Sequence, residues 1–340
     1  MARNLPDGAG PATVAVVGAA TAAGSLVREA LAAAGVPGPR VDLFGAGGGG
    51  AVLSEYAGEA RLIQPPDRDE VGLHQVVFLC EVSAQAAAIA ALAGPGCLVL
   101  DMTGVYAGPD GGPLVGSAAG PVRGGDAGLL PVAHPLSIVL ADLLGPIDRA
   151  LGLRGATAMI LRPAADFGEA GIEELREQTV RLLRFERTPR DVFGGQLAFN
   201  AIPQARLPGD EADLDRRIAR EVASLLGWPG GRLALRCVAV PVFHGHALSL
   251  RLDLASASTV DGVRAIFGAG GGVRLAAAGS KWTPLGAPED RRTDVCEVVE
   301  DGLGGYWIWA IAGAAGRASA ERAVSAAAAL ADLGVSEGKR

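Results

Sequence analysis

An apolar run over 12–17 feeds the turn Gly18-Ala19-Ala20-Thr21-Ala22-Ala23-Gly24, which opens into an amphipathic helix predicted over 25–34. A second strand is predicted over 40–44. The runs Val76-Val77-Phe78-Leu79-Cys80 and Leu98-Val99-Leu100-Asp101 follow, separated by an Ala-rich helical stretch over 83–93. Short continuous apolar runs suit strands buried on both faces of a parallel sheet. Their alternation with helices after a glycine turn restricts this part of the chain to a doubly wound α/β fold of the dinucleotide-binding, Rossmann type.

The chain has 340 residues, enough for two domains rather than one. A hydrophobic fraction of 49% and a mean hydropathy of +0.30 supply a sizeable core and exclude wholesale disorder. The net charge of −7 argues against nucleic-acid binding, because phosphates need a basic stripe that is missing here. Cys80, Cys97, Cys237 and Cys296 are spread singly, with no CxxC pair, as buried thiols in a reducing compartment would be. The apolar run over 12–20 continues into a helix, so it reads as a strand and turn rather than as a secretory signal. Glu81, Gln85 and Gly94-Pro95-Gly96 break the one Ala-rich candidate for a membrane span. A cytoplasmic protein with no membrane partner is expected.

The glycine turn leaves two readings open. In a phosphate-binding loop, glycines let the backbone approach a pyrophosphate whose charge is met by N–H groups at the helix start. That reading makes Gly18, Thr21, Ala22, Ala23 and Gly24 candidates for holding NADP or NAD. In the other reading the motif is a tight βα turn with no nucleotide, since only the outer two glycines remain. The Gly-rich run over 45–50 after the second strand offers neither a carboxylate for a ribose nor an arginine for a 2′-phosphate.

Four segments carry a resemblance: Val14-Ala15-Val16-Val17-Gly18-Ala19-Ala20, Leu197-Ala198-Phe199-Asn200-Ala201-Ile202-Pro203-Gln204, Val240-Pro241-Val242-Phe243-His244-Gly245-His246-Ala247, and the helix from Trp309 to Leu330. In order and spacing they resemble the aspartate-semialdehyde dehydrogenase family, an oxidoreductase family of amino-acid biosynthesis, from about residue 12 to about 334. The resemblance implies a dinucleotide domain over 1–133, completed by a terminal helix over 313–334. It also implies an α+β mixed-sheet domain over 134–312 that binds substrate and forms a homodimer. The residue pattern after Pro135 agrees, with an amphipathic helix predicted over 210–226 and strands over 233–242 and 247–254. The charged string Asp210-Glu211-Ala212-Asp213-Leu214-Asp215-Arg216-Arg217 reads as a solvated helix face, which in the family overlies the substrate pocket.

The family's reaction uses a cysteine thiolate, a proton-moving histidine, an arginine for the substrate carboxylate and a nicotinamide. By the resemblance, the nucleophile position in Ala133-His134-Pro135-Leu136-Ser137 holds Leu136, and leucine forms no thioester. The orienting glutamine corresponds to Pro163, the substrate arginine to Ala239, the arginine of the phosphate-binding turn to Ala107, and the motif beside the nicotinamide to Gly313-Ala314-Ala315-Gly316. What survives is a vestigial pocket of His246, His134, Leu136, Asp215 and Arg217. The Usg proteins, a branch of this family, are similar in lacking the cysteine while keeping Pro-Val-Phe-x-Gly-His-Ala and the helix pattern seen here as Asp215-Arg216-Arg217-Ile218.

A dimeric, non-catalytic or catalytically altered homologue is therefore expected. Three alternatives stay open: an oxidoreductase of altered mechanism, an NAD(P)-binding sensor, and a zinc enzyme. The last would use His134, His244 and His246, the latter two placed on one strand face by their spacing of two.

Overall fold

The computed structural model describes residues 12–45, 52–106, 114–116, 128–209, 213–268, 271–277, 279–280, 282–313 and 315–333. Ala46 to Gly50 of the second glycine-rich loop, Ala107, Asp210 to Ala212 and Ala314 lie outside the described residues. The chain divides into two compact units, residues 1–135 with 316–340, and residues 136–315.

The first unit is built on seven strands, β1 (Val14–Val17), β2 (Val41–Phe44), β3 (Val52–Tyr56), β4 (Glu59–Gln64), β5 (Val76–Leu79), β6 (Leu98–Asp101) and β7 (Leu129–Pro131). Their order is β3-β4-β2-β1-β5-β6-β7. All neighbours are parallel except β3, which pairs antiparallel to β4. Every residue of β1, β5 and β6 is buried, which explains why these strands read as unbroken apolar runs. Helix α1 (Ala22–Ala33) starts three residues earlier than predicted, because the Thr21 hydroxyl accepts the Gly24 N–H and caps it. Further helices are α2 (Arg68–Val71) and α3 (Ala84–Ala90). The last helix of the chain, here α8 (Ala315–Leu330), contributes Ala320, Ala323, Val324 and Ala327 to the same core as Val14, Val16, Val27 and Leu31.

The second unit opens with α4 (Pro135–Leu151) and holds a mixed sheet. Its strands are β8 (Leu153–Arg162), β9 (Ile202–Pro203), β10 (Leu233–Ala239), β11 (His246–Leu254), β12 (Val273–Leu275), β13 (Thr293–Glu300) and β14 (Tyr306–Ala312), in the order β12-β13-β14-β11-β8-β10-β9. Helices α5 (Gly168–Leu183), α6 (Leu214–Leu226) and α7 (Val260–Phe267) complete it. One face of the sheet is covered: Ala156, Ala158 and Ile160 of β8 and Leu248, Leu250 and Leu252 of β11 pack with residues of α4, α6 and α7. The alternate residues face the other way, and there Met159, Trp307 and Val299 are 49%, 42% and 40% exposed.

Two strand predictions ran past or short of their true ends. The strand predicted over 233–242 stops at Ala239, and the one predicted over 247–254 begins a residue earlier, at His246. Between them Gly245 takes φ +83°, a conformation that breaks strand geometry. His244 and His246 therefore do not share a strand face, and the spacing argument for a zinc pair fails.

Candidate functional site

In the first unit the glycine turn is held by its own hydrogen bonds. Gly18 and Ala19 both donate to the Phe44 carbonyl at 2.8 Å, Thr21 N–H donates to Gly18 O at 2.9 Å, and Ser25 N–H donates to Thr21 O at 2.9 Å. The Thr21 hydroxyl lies within 2.8 Å of Gly18 O and 3.1 Å of Cys80 O while accepting from Gly24 N–H at 3.0 Å. Ala20, Ala22 and Ala23 keep N–H groups with no partner among the described residues. Both glycines are required by the protein itself. A Cβ on Gly18 would lie 2.9 Å from Glu81 Cβ and from the Cys80 carbonyl carbon, and one on Gly24 would lie 2.1 Å from Gly18 O.

In the second unit a buried polar cluster forms where β8 ends and β11 begins. Arg162, the last residue of β8, is 2% exposed. Its Nε donates to Asp166 Oδ2 at 2.8 Å and its Nη1 to Gln204 Oε1 at 2.5 Å, and its guanidinium lies 4.9 Å from the centre of the Phe167 ring. The 3-10 turn Ala164–Phe167 carries Asp166 back over the strand end, pinned by Ala164 N–H to Val242 O and Ala165 N–H to Phe243 O. Asp166 meets His246 as well: Nε2 lies 2.9 Å from Oδ1 and 3.0 Å from Oδ2. Nε2 faces the carboxylate and donates to it. Nδ1 is buried and has no hydrogen-bond partner among the described residues. Burial raises the Asp166 pKa, but the charges and hydrogen bonds of His246 and Arg162 outweigh it and hold the carboxyl well below its ordinary value.

Of the residues singled out from the sequence, His246 belongs to this cluster's hydrogen bonds. Asp215 accepts from Cys237 N–H at 3.0 Å. Arg217 Nε donates to Glu221 Oε1 at 2.7 Å, and the other oxygen of Glu221 accepts from the buried Ser137 hydroxyl at 2.7 Å. Leu136 is 1% exposed at the start of α4 and packs in the main core of its unit. His134 is half-buried just before α4, and His244 is exposed. No group of three His, Cys, Asp or Glu side chains placed to hold a metal occurs among the described residues. Pro163 precedes the 3-10 turn with extended backbone, and Ala239 is buried at the end of β10. Sequence reasoning gave no role to Arg162, Asp166 or Gln204. Gln204 closes one of the four resemblance strings, and Arg162 and Asp166 stand four apart around Pro163, with nothing to indicate that Asp166 meets a histidine 80 residues away.

All four cysteines are buried. Burial pushes the Cys80, Cys97 and Cys237 thiols up, assisted at Cys80 by Glu81 and Asp101 and at Cys237 by Asp215. Burial likewise pushes Cys296 up to about 11. None is a thiolate near neutral pH, the state a nucleophile needs.

No helix among the described residues is long and apolar enough to cross a membrane. Residues 144–298 match the semialdehyde dehydrogenase dimerisation domain. The chain is 27% identical over 283 residues to a USG-1 protein homolog of Pseudomonas aeruginosa, covering 81% of this chain and 84% of the relative. It is 26% identical over 284 residues to the aspartate-semialdehyde dehydrogenase of Corynebacterium glutamicum, covering 77% and 83%. Among solved structures, aspartate semialdehyde dehydrogenase II of Vibrio cholerae, complexed with ASA, superposes with a TM-score of 0.82 at 22% identity over 95% of this chain and 98% of that one. A probable aspartate-semialdehyde dehydrogenase of Pseudomonas aeruginosa gives 0.79 at 25% identity over 93% and 97%. The chain thus carries a semialdehyde dehydrogenase dimerisation domain over 144–298 and is similar, along most of its length, to aspartate-semialdehyde dehydrogenases and USG-1 protein homologs.

Proposed function

We propose that this chain is a dimeric aspartate-semialdehyde dehydrogenase homologue that does not carry out thioester chemistry. The observation that supports this reading is the state of its thiols: all four are buried and pushed up, while the position that resembles the family's nucleophile holds the core residue Leu136. Loss of thiolate and nucleophile together removes the first covalent step of the reaction. Purified protein given aspartate semialdehyde, phosphate and NADP or NAD is expected to produce no reduced nicotinamide above the blank. Turnover that iodoacetamide abolishes would overturn the reading. The thiols supply an independent check. A disulfide exchange reagent at pH 8 is expected to titrate far less than one thiol per native chain within minutes, and all four after denaturation.

Dimerisation through the open sheet face is part of the same proposal. Across that face Thr157, Arg251, Trp307 and Val299 stand in register, and beside them Met159, Ser249, Trp309 and Glu297. A face that presents the exposed side chains of Met159, Trp307 and Val299, with half-buried Trp309 beside them, suits a self-complementary interface. Light scattering is expected to give twice the chain mass. Met159→Asp with Trp307→Asp is expected to give the monomer mass, since each central anchor contributes about 2 kcal/mol or more to such an interface. A wild-type monomer at micromolar concentration would end the proposal.

A second reading rests on His246. A carboxylate-held imidazole with a buried, unpartnered Nδ1 is equipped to accept a proton from a bound ligand, so acid–base chemistry without a cysteine is the form an altered activity would take.

A further inference from the structure

We infer that the glycine turn of the first unit is closed to NAD and NADP, and that Glu81 is the residue that closes it. In open α/β sheets a ligand lies outside the carboxyl ends of the strands, and a dinucleotide sets its pyrophosphate against the helix that follows the first strand. Glu81 stands at that edge. It follows β5 by two residues, and β5 pairs directly with β1, Val17 beside Leu79, with Cys80 N–H donating to Val17 O. The contact with Gly18 is close enough that even a methyl group there would meet Glu81 Cβ at 2.9 Å.

The side chain is half-buried, and its Oε1 accepts from the Ser83 hydroxyl at 3.1 Å. Its charge acts on the strand end, where it helps to push up the Cys80 thiol. A second negative group, the pyrophosphate, would have to settle beside it in a partly desolvated crevice, where like charges repel strongly.

The turn itself adds to the closure. Gly18 and Gly24 fill the two glycine roles that leave no room for a phosphate, the tight turn and the close packing of helix on strand, while the positions between them carry the side chains of Ala20, Thr21 and Ala23. Thr21 has consumed the Gly24 N–H and lays a side chain across the helix start. The three remaining N–H groups, of Ala20, Ala22 and Ala23, attract an anion, but α1 has no basic residue in its first turn to assist them. The glycine fingerprint thus survives as packing, and the residue that decides against a nucleotide lies outside it, just past the neighbouring strand.

Isothermal titration of the full chain with NADP and NAD tests this directly and does not depend on the thiol reading, which the disulfide exchange titration addresses. Wild type is expected to give no saturable heat up to about 1 mM nucleotide, a Kd weaker than millimolar. Glu81→Gln keeps the side chain's size and its hydrogen bond from Ser83, and is expected to bind at least about tenfold more tightly, within the measurable range. Glu81→Ala serves as the second variant, with unchanged circular dichroism and melting temperature as the control for folding. Micromolar binding by wild type would overturn the inference. So would two folded variants that bind no better than wild type, because the closure would then owe nothing to Glu81.

Discussion

Asp166→Ala is expected to lower the unfolding free energy by about 3–5 kcal/mol, the usual cost of removing one partner from a buried charge pair. The carboxylate is the hub of its cluster, bonded by Arg162 at 2.8 Å and by His246 at 2.9 Å, and only 17% of its side chain is exposed. Without it, the buried Arg162 guanidinium loses a carboxylate bonded at 2.8 Å, and His246 Nε2 loses its acceptor. Asp166→Asn keeps an acceptor for the His246 Nε2–H and is expected to cost less.

The acid limb carries the same signature. The folded-state pKa of Asp166 lies below its ordinary value of 3.8, so the unfolded chain binds the proton first. Stability supplied by this group is then fully present above pH 3.8 and is lost as the pH falls through that value toward the depressed one. Urea midpoints measured from about pH 7 to about pH 3 are expected to fall less steeply at the acid end in Asp166→Ala than in wild type. Parallel curves would show that the carboxylate is not ion-paired.

The second large effect is expected at Gly24, where Gly24→Ala should destabilise the first unit by about 3 kcal/mol, the upper end of typical overpacking costs. Helix propensity alone predicts the opposite sign, since alanine in place of glycine within a helix gains about 1 kcal/mol. The contact decides. The added Cβ would sit 2.1 Å from Gly18 O and 2.8 Å from Ala19 Cα, backbone atoms that move only if the turn opens. Gly35→Ala is the matched comparison: its φ of +80° disfavours alanine, but nothing lies within 4 Å of the added carbon, so a cost of about 1–2 kcal/mol is expected from backbone conformation alone. Thermal unfolding of the two variants separates these effects. A stabilised Gly24→Ala protein would show that the turn is looser than described.

Much of the first unit was legible in the chain itself, since β1, β5 and β6 are buried on both faces and such strands announce themselves as apolar runs. The β3–β4 hairpin was not, because its residues are largely exposed and alternate poorly. His246 was picked out within a recognisable string, and the structure does bury it at the start of a strand. Its neighbour His244 was misplaced, because a period of two holds only while the backbone stays extended, and Gly245 at φ +83° ends that.

The amino-acid sequence by itself determined the alternation of strands and helices, the leucine that stands at position 136 and the resemblance that these strings carry. All of these are local properties, written in periodicity, side-chain volume or a short string. Only the tertiary structure decided that Arg162, Asp166, Gln204 and His246 form one buried network, and that Glu81 stands against Gly18. Those pairings join residues up to 80 positions apart through strand register and loop path, and no local pattern of side chains encodes which charges will meet.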